Sequence, residues 1–335
     1  MAGAQRVFSG IQPSGVPHLG NYIGAIRNWV QLQKTCGNNV MYSIVDLHAL
    51  TVHQAPLLLK RNIKNMTVCL LACGIDPKQS IVFQQSQVPE HCELMWLLSC
   101  QTPNGWLNKM TQWKSKGATD NKSFVNIGLY AYPILMAADI LLYKATHIPV
   151  GADQLQHLEL TCDIAHTFNS RYGVEFFPKP QPLLSEGKNQ RIMSLRNPLQ
   201  KMSKSDNQEM ARIDITDTPD QVHNKIRKAV TDCTSAVTFE PEERPGVSNL
   251  VSMYSALSGK TTDEVVEDFT GKETVELKDG LTQVIISYLK PIQEKIIELE
   301  EDEGHIEQIL TDGARRARER ASVTIRGAKE LLGIN

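Results

Sequence analysis

Two short segments of this 335-residue chain carry side chains suited to handling phosphate. The first, Ser9-Gly10-Ile11-Gln12-Pro13-Ser14-Gly15, leads to His18-Leu19-Gly20-Asn21 at the expected start of a helix. Its glycines let the backbone approach an anion with no Cβ in the way, and the free N–H groups of a helix N-terminus favour negative charge. His18 and Asn21 would add neutral donors, although a plain turn capped by Asn21 accounts for the segment almost as well. The second is Lys201-Met202-Ser203-Lys204-Ser205, far downstream on an expected loop. Two lysines three positions apart can wrap a polyphosphate and neutralise the charge that develops on departing pyrophosphate. An exposed lysine loop is the bland reading, and the occurrence of both segments in this order counts against it.

The elements that must carry these segments alternate in the first half. Arg6 to Ser9 reads as a strand, and Ile23, Ile26 and Val30 mark one face of a following helix. Val40 to Val45 reads as a second strand. Pro56 opens a helix with Leu59, Ile63, Met66 and Leu70 on one face, closed by Gly74, and Ser80 to Gln84 is a third strand. This is the α/β pattern of a Rossmann-like parallel sheet covered by helices. After Ser205 the chain reads as all-helical. Thr218-Pro219-Asp220-Gln221 is a capping box with proline at the first helical position. Thr262 to Phe269 ends at Gly271, Leu281 to Leu299 is expected to kink or break at Pro291, and His305 to Leu332 makes a final helix or pair. The expected division is a nucleotide-binding catalytic domain over 1–205 and a helical domain over 206–335, whose last helix can pack back on the first domain.

Composition narrows the function classes. The net charge of -2 argues against nucleic-acid binding by bulk positive charge, and 41% hydrophobic with 21% charged residues is ordinary for a globular chain. No window approaches the roughly 18 apolar residues of a membrane span. The seven cysteines are scattered, with only Cys69 and Cys73 close together, so no zinc site is expected and buried thiols are favoured. Met1 to Gln5 runs almost directly into a strand, so no signal or transit segment is expected. An acidic run from Glu298 to Glu303 precedes a basic one of Arg315, Arg316, Arg318, Arg320, Arg326 and Lys329. These read as solvated helix faces, or the basic stretch meets RNA phosphates or an acidic partner surface.

With both phosphate segments in view, the chain resembles the class I aminoacyl-tRNA synthetases, whose paired motifs read His-Ile-Gly-His and Lys-Met-Ser-Lys-Ser. The second is matched in full; in the first, Leu19 is a mild change and Asn21 puts an amide where the family has an imidazole. The opening loop ending in Gly-Asn is similar to the tryptophan branch of that family. So are Val45-Asp46-Leu47-His48, Tyr132-Pro133, Met136-Ala137-Ala138-Asp139-Ile140, Pro149-Val150-Gly151, Asp153-Gln154 and Gly246-Val247-Ser248-Asn249-Leu250. The resemblance implies that Asp139 accepts the indole N–H and Met136 packs on the ring. The two are i and i+3 on one predicted helix face, and an acceptor-only carboxylate suits a lone donor. A buried carboxylate left without a partner is costly, so substrates lacking that donor would be rejected. A helix-face ion pair is the bland reading of Asp139.

By the same resemblance Tyr132 and Gln154 hold the substrate ammonium, and Phe8, Val45, His48, Ile148 and Val150 wall the indole pocket. His48 also reads as a satisfied core histidine. Gly151, Ala152, Asp153 and Ile192 correspond to ribose and adenine contacts, with Ala152 restricted to its backbone. Gln12, Pro13, Ser14, His18, Leu19, Gly20 and Asn21, with Lys201, Met202, Ser203, Lys204 and Ser205, make up the ATP site. The catalytic set is Gln12, His18, Asn21, Lys201 and Lys204, and Lys116 is a further phosphate-side candidate. ATP is the implied co-substrate, with Mg²⁺ carried on its phosphates and no metal ligands from the protein. The implied reaction activates L-tryptophan as an adenylate and transfers it to tRNA(Trp), in a homodimer whose helical region reads the anticodon. The alternatives are a tyrosine-specific relative, an adenylating enzyme of another metabolite and a catalytically silent tRNA-binding paralogue. Ser43 to His48, Gln112 to Lys114 and Leu142 to Val150 look closest to the mitochondrial type, so the matrix is the expected location, with a bacterial-type cytoplasm as the alternative.

Overall fold

The computed structural model describes residues 5–111, 113, 126–183, 191–204, 206 and 208–334. Five strands, β1 (Val7–Ile11), β2 (Val40–Ile44), β3 (Ile81–Gln84), β4 (His147–Pro149) and β5 (Gln181–Leu183), pair in the order β3-β2-β1-β4-β5, all parallel. Every residue of β2 is buried, as expected for a central strand covered on both faces. The first three strands fall where their β-rich runs predict them. β4 and β5 have no such signal, because each is three residues long and contains a proline.

Helices cover both faces. Following β1 come α1 (Leu19–Asn21), a π turn at Tyr22–Ile26, and α2 (Arg27–Cys36). Then come α3 (Asp46–Ala49), α4 (Pro56–Ala72), α5 (Glu90–Ser99), α6 (Asn104–Leu107), α7 (Ile127–Leu142) and α8 (Leu155–Tyr172). The C-terminal part adds α9 (Pro219–Arg227), α10 (Pro245–Ser258), α11 (Thr262–Asp268), α12 (Thr274–Glu300) and α13 (Glu303–Leu332). The strands sort their side chains by alternation. Val7, Val40, Tyr42, Ile44 and Val82 pack into one core with α2, α4 and helices α9 to α12. Phe8, Met41, Ile81 and Phe83 pack into the other with α5, α7, α8 and α13.

Two expectations about the helical part change. The break at Pro291 does not occur, and α12 runs through it. An interior proline costs roughly 3 kcal/mol. That cost is offset by one buried stripe on both sides of it, Leu281, Ile285 and Leu289 before and Ile292, Ile296 and Leu299 after. Gln293 adds two hydrogen bonds to the carbonyls of Ile215 and Asp217, at 3.0 and 2.9 Å. The basic stretch of α13 is also neither wholly solvated nor wholly free. Arg316 donates to the Pro77 carbonyl at 2.8 Å and Arg320 to that of Asn38 at 2.9 Å, while Lys329 pairs with Glu93 at 3.0 Å.

These contacts follow from how closely α13 approaches the edge strand β3. A row of small residues, Gly313, Ala314, Ala317, Ala321 and Ala328, faces the sheet. A Cβ at Gly313 would overlap the Val82 carbonyl, which is backbone and cannot swing aside. We expect Gly313→Ala to destabilise the fold by roughly 1–3 kcal/mol through overpacking. A denaturation midpoint unchanged from wild type would contradict this, and Gly304→Ala, which has room in the first turn of α13, serves as the control.

Candidate active site

In a parallel sheet the loops after the strands' C-terminal ends gather at one edge, and the crevice opens where the strand order reverses. Here that point lies between β1 and β4, which follow opposite winding directions on the two sides of the sheet. The Ser9 hydroxyl spans it, donating to the Pro149 carbonyl at 3.3 Å. Gly10 is glycine for a steric reason, since a Cβ there would meet the Val45 side chain at 2.8 Å.

At the end of the β1 loop, His18 caps α1. Its Nδ1 accepts from the Asn21 backbone N–H at 3.2 Å, and its own N–H donates to Asn21 Oδ1 at 3.2 Å. The capping reading of Asn21 is therefore literally present, and it also fixes His18. With Nδ1 accepting, the proton of the neutral ring sits on Nε2. His18 is 2% exposed, and burial together with Lys204, Arg212 and Lys201 pushes its pKa down to about 3. It is a neutral donor across the working pH range. Leu19 and Gly20 are buried beside it, Gly20 against Met202, while Gln12 and Ser14 are exposed and Pro13 is buried.

The lysine segment is built onto this loop. Residues 192–194 and 200–202 face each other across a turn: Met202 N–H donates to the Ile192 carbonyl at 3.1 Å and Ser194 N–H to that of Gln200 at 2.8 Å. Ile192 is buried in the first core and Lys201 is exposed. Asn249 on α10 holds this hairpin by both its amide groups, accepting from Met193 N–H at 2.9 Å and donating to the Met193 carbonyl at 3.0 Å. Just beyond, Leu19 N–H donates to the Ile213 carbonyl and Ile215 N–H to that of Pro17, so the two phosphate segments are stitched together. Lys204 reaches across and donates to the Gly15 carbonyl at 2.8 Å. Burial lowers its pKa to about 8, with Arg212 acting in the same direction and Cys69 and Asp214 opposing. Ser205 and Lys116 lie outside the described residues, as does the side chain of Ala152.

The second half of the site surrounds Asp139 on α7, which is 2% exposed. Its Oδ2 accepts from His48 Nε2 at 2.7 Å, and its Oδ1 from Gln85 Nε2 at 2.7 Å and His91 Nδ1 at 2.6 Å. Burial pushes the carboxyl up, but His48 and His91 outweigh it and hold the pKa down at about 2. Asp139 is thus neither a surface ion-pair residue nor a carboxylate awaiting its only partner. Rejection of a substrate cannot rest on a carboxylate with no partner at all, only on the one acceptor position that its three donors leave open. His48 is at once buried, satisfied and edge-on to Tyr132 at 6.2 Å. Val45, Ile148 and Phe8 are buried nearby, Phe8 stacked on Tyr143 at 5.6 Å, while Met136 and Val150 are half-buried.

A chain of hydrogen bonds links Tyr132 to Asp153. The Tyr132 hydroxyl meets His157 Nε2 at 2.9 Å, His157 Nδ1 meets Gln154 Oε1 at 3.0 Å, and Gln154 Nε2 donates to Asp153 Oδ2 at 2.8 Å. The Asp153 carboxylate folds back over Gly151, 2.7 Å from where a Cβ would stand, so a side chain there would push the carboxylate aside. Sequence reasoning missed Gln85, His91, Tyr143, His157 and Asn249 as parts of the site. A signal existed for both histidines. His91 falls on the stripe of Leu94 and Leu98, and His157 on that of Thr161, Ile164 and Phe168, so each is a titratable group at a core position.

A nucleotide-binding α/β sheet with a lysine hairpin over a helix-capping histidine defines a phosphate-handling, Rossmann-like enzyme. Residues 2–290 match the family model of class I tRNA synthetases (W and Y). The chain is 45% identical over 329 residues to a tryptophan–tRNA ligase of Rickettsia conorii, covering 98% of each chain. Its structure is similar to that of a tryptophanyl-tRNA synthetase from Mycoplasma pneumoniae, with a TM-score of 0.89 at 32% identity over 99% of each chain. A second similar structure, tryptophanyl-tRNA synthetase from Campylobacter jejuni complexed with ADP and tryptophan, gives 0.83 at 34% identity, covering 98% of this chain and all of that one. The chain belongs to the class I aminoacyl-tRNA synthetases, in the branch that contains the tryptophan and tyrosine enzymes.

Two outcomes follow from the phosphate half of this geometry. The Lys204 ammonium loses its proton above about pH 8 in the free enzyme, so kcat/KM for ATP should fall as pH rises through that value. A Lys204→Arg variant should lack that limb, because guanidinium stays charged. A wild-type profile flat to pH 10 would contradict the assignment only if the variant is equally active. Asn249→Ala frees the hairpin and should lower the rate of ATP-dependent adenylate formation by roughly 10-fold or more, as misplacement of catalytic groups does. Pre-steady-state adenylate formation at saturating ATP measures it.

Proposed function

We propose that the enzyme is a tryptophan–tRNA ligase that activates L-tryptophan with ATP and transfers it to tRNA(Trp). The observation that carries the substrate choice is the ionised Asp139 carboxylate, buried at one end of the site that also holds the apolar side chains of Phe8, Val45, Ile148 and Val150. The relatives named for tryptophan support the same choice over tyrosine.

In the first step a tryptophan carboxylate oxygen attacks the α-phosphorus of ATP, and the bond to the bridging oxygen breaks with its electron pair leaving on pyrophosphate. No covalent enzyme intermediate is required, so catalysis consists of positioning and charge stabilisation. Neutral His18 offers a hydrogen bond from Nε2–H without carrying a charge of its own, and the glycine loop with Gln12 lies where the phosphates would enter. Lys204 is satisfied by the Gly15 carbonyl until a phosphate oxygen competes for it. Incoming negative charge raises the lysine's affinity for its proton, so binding and charging reinforce each other. Lys201, exposed at the hairpin, is free to follow the leaving group. Tyr132 and Gln154 face the ammonium, and Asp153 accepts from ribose hydroxyls. Mg²⁺ is carried on the phosphates; among the described residues no group of three or more His, Cys, Asp or Glu side chains could hold a metal ion. In the second step the tRNA 3′-terminal hydroxyl attacks the adenylate carbonyl, and AMP departs as the mixed-anhydride bond breaks.

Residues 1–205 form the catalytic part in this reading, and 206–335 the part that reads the anticodon, with α13 returning to the sheet. A homodimer is supported by exposed Leu50, Val52 and Ile127, whose segments Asn126 joins by donating to the Thr51 carbonyl at 2.9 Å. No helix among the described residues is long and apolar enough to cross a membrane. The bacterial relatives favour a bacterial-type cytoplasm over the mitochondrial matrix, and charging of mitochondrial, bacterial and cytosolic tRNA preparations separates the two.

Amino-acid-dependent exchange of pyrophosphate into ATP tests the core of the proposal. Tryptophan should support exchange and tyrosine should not; the reverse result would make this a tyrosine enzyme, and tRNA binding without any exchange a silent paralogue. Lys204→Ala should lower kcat by about 10²–10³ with a much smaller effect on the KM for tryptophan, as loss of a transition-state contact does.

A further inference from the structure

We infer that His91 and Tyr143, both buried, are positioning residues that set discrimination for a substrate N–H by holding Asp139 with one oxygen filled and the other half open. This rests on the tryptophan reading of the site.

The geometry divides the two carboxylate oxygens unequally. An ionised carboxylate accepts about four hydrogen bonds, two per oxygen. Among the described residues Oδ1 already has its two, from Gln85 at 2.7 Å and His91 at 2.6 Å, whereas Oδ2 has one, from His48 at 2.7 Å. The remaining acceptor position is on Oδ2, the oxygen on the side of His48. An indole N–H arriving there completes the set.

The filled side is built to stay filled. Gln85 has its amide orientation fixed, because its Oε1 accepts from Leu47 N–H at 3.2 Å while its Nε2 serves Asp139. His91 is 0% exposed and faces the Phe83 ring at 5.8 Å. A carboxylate cannot donate, so His91 Nδ1 carries the proton, and its Nε2 receives the Tyr143 hydroxyl at 2.8 Å. Tyr143 is in turn stacked on Phe8 of β1 and set edge-on to Phe83 of β3. The carboxylate's orientation is therefore referred, through a histidine and a tyrosine, to two strands of the sheet. Without the His91 donor, Oδ1 gains a vacancy in an apolar interior. The side chain then rotates or gives up its charge, and the Oδ2 position no longer waits for the substrate.

A site built to pair a substrate N–H discriminates strongly against an analogue that lacks it, and loses that power when the acceptor is misplaced. The probe is the tryptophan analogue in which benzothiophene replaces indole, so that sulfur stands where N–H was. In pyrophosphate exchange, His91→Leu should lower kcat/KM for tryptophan by roughly 100-fold, mainly through KM, while changing that for the analogue by less than about 3-fold. His91→Asn, whose amide nitrogen can stand in for Nδ1, should recover most of the wild-type ratio of tryptophan to analogue. Tyr143→Phe, which removes one oxygen and keeps the stack, should lower that ratio by roughly 3–10-fold and gives the readout even if His91→Leu does not fold. A ratio that stays at the wild-type value in Tyr143→Phe, or in a folded His91→Leu, whatever the total activity, overturns the inference. If wild type fails to use tryptophan at all, the reading of the preceding section fails first.

Discussion

An ionised carboxylate in an apolar interior is the most demanding group in this molecule. Removing such a charge from water costs several kcal/mol unless hydrogen bonds replace the water. Asp139 meets that demand with three donors from three different places: His48 after β2, Gln85 after β3 and His91 on α5. Each arrives only if β2 and β3 are in parallel register and α5 and α7 pack on the same face of the sheet. The indole end of the site is thus a consequence of sheet register, and the register is in turn supported by the network it delivers. Deep burial also explains why the network is closed. In a low dielectric an unfilled acceptor is expensive, so a single open position is a specific feature and not slack.

The phosphate end works by a different economy. His18, Gly20, Lys201 and Lys204 come from distant segments, yet they are joined mainly by backbone hydrogen bonds between 17–19 and 213–215 and between 192–194 and 200–202. Asn249 extends this backbone pairing to α10, so a helix outside the sheet shares in placing the lysines. Here the charges are positive and mutually repulsive. Burial is the larger cause in both cases and neighbouring positive charge adds to it, so His18 is held neutral and the Lys204 pKa is lowered to about 8. The two ends meet along Tyr132, His157, Gln154 and Asp153, where one buried imidazole joins Tyr132 to Gln154 and Gln154 donates directly to Asp153.

The C-terminal part shows how packing overrides local preference. Pro291 is a helix breaker by covalent geometry, but the stripe it interrupts is buried on both sides, and α12 continues. The arginines of α13 look like a surface for an acidic partner when read in a row. The close approach of that helix to β3 turns some of them inward to loop carbonyls at Pro77 and Asn38. Both departures arise from burial against elements far away in the chain, which no local window contains.

The sequence by itself determined the class of chemistry, the first three strands, several helix starts such as those at Pro56, Pro219 and Thr262, and the two phosphate segments. Those features are written in local patterns: glycine spacing, paired lysines, period-two and period-3.6 burial, and capping boxes such as Thr218 with Gln221. It did not reveal β4 and β5, which are too short and proline-bearing to show a period. Nor did it show that Asp139 is already satisfied. Its partners Gln85 and His91 lie about fifty positions upstream, and a hydrogen bond between residues that far apart exists only once the sheet brings the strand ends together. What tertiary structure alone decided was how many donors converge on Asp139 and from which side, because the three come from separate elements.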